Sequence, residues 1–275
     1  MTYEEEIEAW RTTRLGKLTA DDGWLTLVGL HWLNPGDNRF GRDASHHFVM
    51  DDPALTEQLG TFTLHAKRIV FHAAAGSGAT HAGEPVTKLE LKTVTQTGPT
   101  TLQLGSASFY AIRLLDRFGI RIKDSAATAR AHFQGLKYFD IEPRWRLEAR
   151  FETYSPMRQL PVVNVLGIEE QMDSPGALVF DVEGETCRLD VVLETGVTDY
   201  FVIFADQTNG KQTYGAGRFL YVRPPVDGKT VLDFNKAYNP PCVFSQFTAC
   251  PLPPPQNRLP FEVTAGELKY SGGDV

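Results

Sequence analysis

From Trp24 onward the chain is a succession of short β-prone runs, each bounded by Gly, Pro, Asn or Asp, and this rhythm restricts the fold more than any other feature. Examples are "TLVGLHWL", "RIVFHA" and "GIRIKD", and eight such runs fall within about 100 residues. Short strands separated by turn residues at this spacing are typical of a β-sandwich or barrel. The rhythm resumes after residue 136 in runs such as "GALVFDVEG" and "GRFLYVRPP". Both halves of the chain are therefore predicted to be rich in β-strands.

The N-terminal segment has a different pattern. Thr2 is followed three residues later by Glu5, the spacing of a capping box. Larger side chains then recur at intervals of three or four, at Ile7, Trp10, Arg14 and Leu18. This pattern predicts an amphipathic helix over residues 3–18, and we expect no other long helix.

The chain ends in an unusual proline-rich segment. Seven of the 17 prolines lie between Pro240 and Pro260. Proline fixes φ and has no N–H, so the segment must lie extended without regular ladder pairing. Tyr238, Phe244 and Phe247 supply apolar surface that holds it against a core. We expect a strap that closes the mouth of a barrel-like domain.

These patterns give an all-β fold with three parts. Residues 1–23 hold the N-terminal helix, residues 24–123 form a β-sandwich, and residues 124–275 form a second, barrel-like domain with the proline-rich strap. The boundary near residue 124 is placed at "DSAATARAHFQGL", where good helix formers interrupt the strand pattern.

Charge and hydropathy exclude several classes of partner. The formal net charge is −7 and the pI is about 5.5, with no concentrated Lys/Arg face for nucleic acid or an anionic membrane. The start of the sequence lacks the basic flank and apolar core of a signal peptide, and no apolar run approaches the roughly 20 residues of a membrane span. We expect a cytoplasmic protein that binds neither nucleic acid nor membrane, while a protein partner stays possible.

Cysteines and known motifs point to no metal and no cofactor. Cys187, Cys242 and Cys250 are expected to be thiols in the cytoplasm. Cys242 and Cys250 are eight residues apart, wider than the pairs of structural zinc sites, so no metal is expected. The sequence has no phosphate-binding Gly-Lys-Ser/Thr, no dinucleotide glycine fingerprint and no Gly-x-Ser-x-Gly elbow. An organic cofactor is therefore not expected either.

The best candidate site follows the turn "DQTNG". Tyr214 and Arg218 lie four residues apart on the returning strand, hence on one face, where the arginine could clamp an anion. Asp206, before the turn, and Asp233, after the strand, are the candidate general bases.

The strap supplies the remaining candidate ligand-binding residues, Asn235, Tyr238 and Asn239. The alternative is that the Asx side chains here satisfy only the backbone of the strap, which is their usual role in turns.

Within residues 25–116 the motifs "GDNRFGRD", "TLHAKRIVF" and "GATHAGEPV" resemble the forkhead-associated family. In that family a Gly-Arg pair and a Ser-x-x-His motif bind phosphothreonine. The pair corresponds to Gly41 and Arg42, and the histidine to His65. Phe62 stands where the family has serine, and Ala82 stands where the family's Asn-Gly pair has asparagine. The resemblance implies a sandwich and offers Arg42 as a possible contact for a phosphorylated or acidic partner.

A longer resemblance covers nearly the whole chain. The segments "GWLTLVGLHWL", "DQTNGKQTYGAGRFLYV", "DFNKAYNPPC" and "CPLPPPQNRL" resemble a widespread prokaryotic family defined only as a domain of unknown function. That family implies no reaction and no residue roles.

These observations lead to two functional hypotheses, beside a third in which the protein has a purely structural role in an assembly. In the first, the C-terminal β domain binds a small polar, anionic ligand, either as a binding protein or as a cofactor-independent hydrolase; the sequence does not decide whether it is an enzyme. In the second, the forkhead-associated-like half is a protein-interaction module.

Overall fold

The computed structural model describes residues 1–50, 57–93 and 98–272, which divide into two compact units. The sandwich unit is Thr19–His132, and the C-terminal unit combines Met1–Leu18 with Phe133–Val275. The N-terminal helix thus belongs to the same compact unit as the C-terminal half, whereas the sequence suggested separate limits at 1–23, 24–123 and 124–275. Whether those three pieces fold independently stays a prediction.

Helix α1 (Tyr3–Thr19) forms where the sequence predicts it. Its capping box is present, since the Thr2 amide donates to Glu5 Oε2 at 2.7 Å and the Glu5 amide donates to Thr2 Oγ1 at 3.2 Å. Ile7 and Leu18 are fully buried and anchor the helix. The helix-prone stretch near residue 124 contains only a four-residue helix, α2 (Thr128–Ala131).

Charged residues also hold α1 in the C-terminal unit. The Glu6 carboxylate accepts hydrogen bonds from Lys236 and Arg146. These two bonds, the one from Lys236 first, lower the pKa of Glu6 to about 2. The helix is therefore attached by ion pairs as well as by apolar contacts.

The sandwich unit consists of two facing sheets. Its strands are β1 (Leu27–Trp32), β2 (Gly36–Gly41), β3 (Phe48–Val49), β4 (Gly60–His65), β5 (Arg68–Ala73), β6 (Thr80–His81), β7 (Glu84–Pro85), β8 (Lys88–Leu91), β9 (Thr101–Leu104), β10 (Ala107–Leu114) and β11 (Arg117–Asp124). One sheet has the order β1-β11-β10-β9-β6-β7 and the other β3-β2-β4-β5-β8. Phe40 of the second sheet packs against Phe109 of the first, with ring centroids 5.0 Å apart. Buried residues from both sheets fill this core, as the predicted sandwich requires.

The C-terminal unit is also β-rich. Its strands are β12 (Arg146–Val163), β13 (Glu169–Val182), β14 (Glu185–Val191), β15 (Tyr200–Phe204), β16 (Arg218–Val222) and β17 (Lys229–Asp233). Four of them form the sheet β14-β13-β12-β17, and β15 pairs with β16. The two sheets share a core in which Leu189, Leu220 and Phe234 are buried. The all-β prediction with an N-terminal helix is confirmed.

The proline-rich segment after β17 is extended and broken by short 3-10 turns at Phe234–Lys236, Pro241–Val243 and Pro255–Asn257. Isolated bridges join it to the strands at three points, Phe219 with Tyr238, Asn164 with Pro251, and Ala205 with Arg258. The segment therefore lies against β16 and the ends of β12 and β15. That it closes a barrel mouth stays a prediction. Within the described ranges, no helix is long and apolar enough to cross a membrane.

Candidate functional site

Arg218 and Asp206 form a buried ion pair. Arg218 Nη2 lies 2.7 Å from Asp206 Oδ2, and both side chains have 0% exposure. The guanidinium also donates to the carbonyls of Val263 and Ala265. Asp206 Oδ1 accepts from the amide and hydroxyl of Thr208, at 2.8 and 2.6 Å. The ion pair is therefore inaccessible to a ligand in this structure, and it links residues 263–265 to the turn that begins at Asp206.

Asp233 and Asn235 belong to a second buried network. Asp233 Oδ1 accepts from the Tyr3 hydroxyl at 2.8 Å, and Asn235 Nδ2 donates to the same hydroxyl at 2.9 Å. Asn235 also bonds both backbone groups of Glu142. Burial, and then the bond to Asp233, raise the pKa of Tyr3 above its ordinary value. These contacts join α1, the loop that contains Glu142 and the start of the proline-rich segment.

Asn239 and Tyr238 lie in a third network, with two residues that the sequence did not single out as site residues. Arg14 Nε donates to Glu267 Oε1 at 2.9 Å, and the Glu267 side chain is fully buried. The Asn239 amide donates to Glu267 Oε2 at 2.8 Å, and Asn239 Nδ2 donates to the Leu268 carbonyl. The Arg14 guanidinium lies over the Tyr238 ring, 4.7 Å from its centroid. A buried carboxylate is thus held between an arginine and a strap amide.

Several polar atoms of this third network are unsatisfied. Asn239 is 0% exposed, and its Oδ1 has no hydrogen-bond partner among the described residues. The same holds for the buried atoms Tyr138 Oη and Arg11 Nε. The Arg11 guanidinium lies 4.2 Å from the Tyr138 ring centroid. The backbones of Tyr138 and Glu267 form an isolated antiparallel β-bridge. Burial, and then the charge of Glu267, raise the pKa of Tyr138.

An open groove of about 540 Å³ lies beside Tyr221 in the same unit. The carboxylates of Glu170, Asp173 and Glu194 line it, and Glu194 accepts from the Tyr221 hydroxyl. Three carboxylates repel an anion, so this groove does not suit the predicted ligand.

Tyr214 lies against a pair of cysteines rather than beside the guanidinium of Arg218. Its hydroxyl is hydrogen-bonded to the Cys242 thiol, and the thiols of Cys242 and Cys250 are hydrogen-bonded to each other. The Cys242 amide donates to Cys250 Sγ at 3.1 Å, and Cys250 Sγ lies 3.5 Å from Thr248 Oγ1. The cysteines are free thiols in the structure.

The sandwich unit places the forkhead-associated-like motifs as follows. Arg42 is exposed after β2, and His65 is exposed at the end of β4. Phe62 is fully buried in the sandwich core and offers no polar group. Ala82 and Gly83 have φ of 51° and 84° and form the tight turn between β6 and β7. An interaction role for Arg42 stays a prediction.

One signal for the third network is present in the sequence. Arg14 occupies a position in the apolar stripe of α1, where a charge requires a buried partner. Nothing local marks that partner, Glu267, which lies 253 residues away. No group of three or more His, Cys, Asp or Glu residues could hold a metal ion in the ranges 1–50, 57–93 and 98–272.

Known structures and families share parts of this chain. A solution NMR structure of an uncharacterized protein from Haloarcula marismortui is 35% identical, with a TM-score of 0.43, covering 50% of this chain and 78% of that one. A forkhead-associated domain, studied for phosphothreonine-dependent interactions, is 16% identical with a TM-score of 0.25, covering 34% of this chain and 92% of that one. No curated protein matches. Residues 131–268, half of the chain, match the family described as "Protein of unknown function (DUF1684)", and the chain belongs to that family.

Proposed function

We propose that the C-terminal unit binds a small polar anion at the cluster formed by Arg11, Arg14, Tyr138, Asn239 and Glu267, here called the Arg14 cluster. The observation that carries this proposal is Asn239 Oδ1, fully buried beside an ion pair and without a hydrogen-bond partner among the described residues. An unsatisfied buried polar group costs about 1–3 kcal/mol. A ligand that donates a hydrogen bond to this oxygen removes that cost.

The unsatisfied atoms define the chemistry of the ligand. Arg11 Nε is a donor that needs an acceptor, whereas Asn239 Oδ1 is an acceptor that needs a donor. Arg14 pairs with the buried Glu267, whereas the acidic partner of Arg11, Glu8, is 61% exposed and screened by water. The cluster therefore favours a molecule with both a carboxylate and a hydroxyl or amino group, such as a hydroxy acid or an amino acid.

This proposal keeps one of the predicted ligand-binding residues, Asn239, in the Arg14 cluster, with Tyr238 packed against the Arg14 guanidinium, and it changes the cation. Arg14 has a 13% exposed side chain and lies at the edge of the cluster, whereas Arg218 is fully enclosed and already neutralised by Asp206. Arg14 is also paired, with Glu267, but its exposed part lets an anion approach it without entering a fully enclosed ion pair.

Hydrolysis is the more specific form of this function. Of the two predicted bases, Asp233 is the better candidate, because its buried Oδ2 has no hydrogen-bond partner in the described part of the chain and lies 3.8 Å from Lys236 Nζ. Both oxygens of Asp206 already accept hydrogen bonds, so neither is free to accept a proton from a substrate. Asp233 belongs to the Tyr3 network, so a reaction would need a ligand that also reaches that network.

The proposal is tested by thermal denaturation with a panel of 2-hydroxy acids and α-amino acids. Sulfate, which has charge but no donor, and glycerol, which has donors but no charge, are the chemical controls. A probe at about 100 times its dissociation constant adds roughly 2.7 kcal/mol to the unfolding free energy. We expect stabilisation by a member of the panel and not by either control.

Tyr138→Phe separates ligand binding from fold stability. It removes an unsatisfied buried hydroxyl, so the free protein should be as stable as wild type or more stable. Affinity for the stabilising probe should fall about 5- to 10-fold, as expected for one hydrogen bond. Tyr200→Phe is the matched control, because the Tyr200 ring packs on Phe151 in the same unit. Equal stabilisation by sulfate, equal loss in both variants, or no stabilisation by any probe would contradict the proposal.

A further inference from the structure

The two cysteines of the proline-rich segment are in contact although they are eight residues apart. The Cys242 amide donates to Cys250 Sγ at 3.1 Å, which brings the backbone of one cysteine against the sulfur of the other. The 3-10 turn Pro241–Val243 and the bridge from Asn164 to Pro251 fix the two ends of this loop. The fold itself therefore holds Cys242 and Cys250 in contact, and no movement of the loop is needed to bring them together.

The environments of the two thiols differ. Cys242 is only partly buried and contacts the Tyr214 hydroxyl. Cys250 is 5% exposed and lies in an apolar cluster with Phe219. A small oxidant can therefore reach Cys242 more readily than Cys250.

We propose that Cys242 and Cys250 form a reversible thiol–disulfide pair that reacts with hydroperoxides, Cys242 being attacked first and Cys250 resolving the product. This modification site is independent of the ligand site at the Arg14 cluster.

The reaction balances in two steps. The Cys242 thiolate attacks the terminal oxygen of the hydroperoxide, an S–O bond forms, the O–O bond breaks, and the departing alkoxide takes a proton from water to give an alcohol. The resulting sulfenic acid then reacts with the Cys250 thiol, so that the S–S bond forms and the S–O bond breaks with release of water. The two sulfurs lose two electrons in total, and the peroxide accepts them.

The surroundings favour this order of events. Hydrogen bonds from the Cys250 thiol and then from the Tyr214 hydroxyl lower the pKa of Cys242, despite its partial burial. The pKa of Cys250 is raised, by its bond to Cys242 and by burial. An accessible thiol with a lowered pKa beside a resolving cysteine is the arrangement of peroxide-sensitive sites. The third cysteine, Cys187, is buried, which raises its pKa, so it serves as an internal control.

The experiment treats the reduced full chain with a small excess of hydrogen peroxide, followed by thiol counting, intact mass and peptide mapping. We expect the free thiols to fall from three to one, a mass loss of two hydrogen atoms, and a peptide linking Cys242 to Cys250. Dithiothreitol should restore all three thiols. A product with added oxygen and no cross-link, or loss of the Cys187 thiol at a similar rate, would overturn the proposal.

Two single variants test the assigned roles. Cys250→Ser should stop at a Cys242 sulfenic acid, detected as a dimedone adduct, whereas Cys242→Ser should slow oxidation of Cys250 at least about tenfold. Cys187→Ser is the matched control and should form the disulfide at the wild-type rate. Rapid oxidation of Cys250 in Cys242→Ser would show that the roles are reversed and would refute the assignment. If a variant does not fold, the cross-linked peptide from the wild-type chain still decides the main proposal.

Discussion

Arg218→Met is expected to destabilise the C-terminal unit severely, because it leaves the Asp206 carboxylate buried without its counter-ion. Arg218 lies on β16 with no exposed side-chain area, 2.7 Å from that carboxylate, and it also donates to two backbone carbonyls. Breaking a buried ion pair by removing one partner costs about 3–5 kcal/mol. A typical domain has a total stability of about 5–15 kcal/mol, so this loss is a large fraction of the whole.

The double variant Arg218→Met/Asp206→Asn shows whether the uncompensated charge causes that loss. An asparagine at 206 has no charge to bury, and its side-chain oxygen can still accept from the Thr208 amide and hydroxyl. The double variant should therefore be more stable than Arg218→Met alone. Lys211→Met is the surface control, since its pair with Glu262 at 3.3 Å is 66% and 48% exposed and is worth about 0–1 kcal/mol.

Urea denaturation followed by tryptophan fluorescence measures these differences, with the midpoint compared at constant slope. The reasoning is refuted if Arg218→Met costs no more than about 1 kcal/mol, as Lys211→Met should. It is also refuted if the separate costs of Arg218→Met and Asp206→Asn add fully in the double variant, since additive costs would mean that the two charges do not interact. The first result would favour the anion-clamp prediction for Arg218, in which the side chain is free to leave its partner.

Three further predictions concern other parts of the chain. The folded-state pKa of Glu6, about 2, is below the ordinary value of 4.5. The stabilising effect of the Glu6 carboxylate is therefore present above pH 4.5 and is lost as the pH falls toward 2. Glu6→Gln should flatten the dependence of unfolding free energy on pH in that window, measured by urea titration at several pH values. Gly266→Ala should cost about 1–3 kcal/mol more than Gly228→Ala in thermal denaturation, because both have positive φ but only the first would place a Cβ 2.4 Å from a backbone oxygen; equal losses would contradict this. Because the buried Phe62 supplies no hydroxyl, calorimetry should detect no micromolar binding of phosphothreonine peptides, and binding that is lost in Arg42→Ala would show the opposite.

Local patterns predicted the elements because the relevant interactions are close in sequence. The capping box at Thr2 and Glu5 needs only a three-residue spacing, and strand alternation needs only neighbouring residues. The buried side chains of β10, which alternate along "ASFYAIRL", follow directly from that alternation. The class of fold was therefore accessible from the sequence.

The candidate site was much less accessible, because its contacts join distant segments. A strand over residues 214–218 would place Tyr214 and Arg218 on one face, but β16 begins at Arg218. Tyr214 lies before the strand and contacts Cys242, while the guanidinium of Arg218 contacts Asp206. The sequence pattern predicts which side chains of a strand share a face, but it does not predict which loop packs against each of them. Glu267 had no local signal, because a glutamate in a turn-rich segment is ordinarily exposed.

The contact between α1 and the segment around Glu267 also affects how the protein folds during synthesis. Arg14 and its partner Glu267 are 253 residues apart, so α1 is synthesised well before the segment that contains Glu267. Until that segment is added, Ile7 and Leu18 lack part of the core that buries them in the folded protein. The apolar side chains of α1 therefore stay exposed while the intervening residues are synthesised, and α1 is a segment where a chaperone that binds exposed apolar side chains would be expected to act.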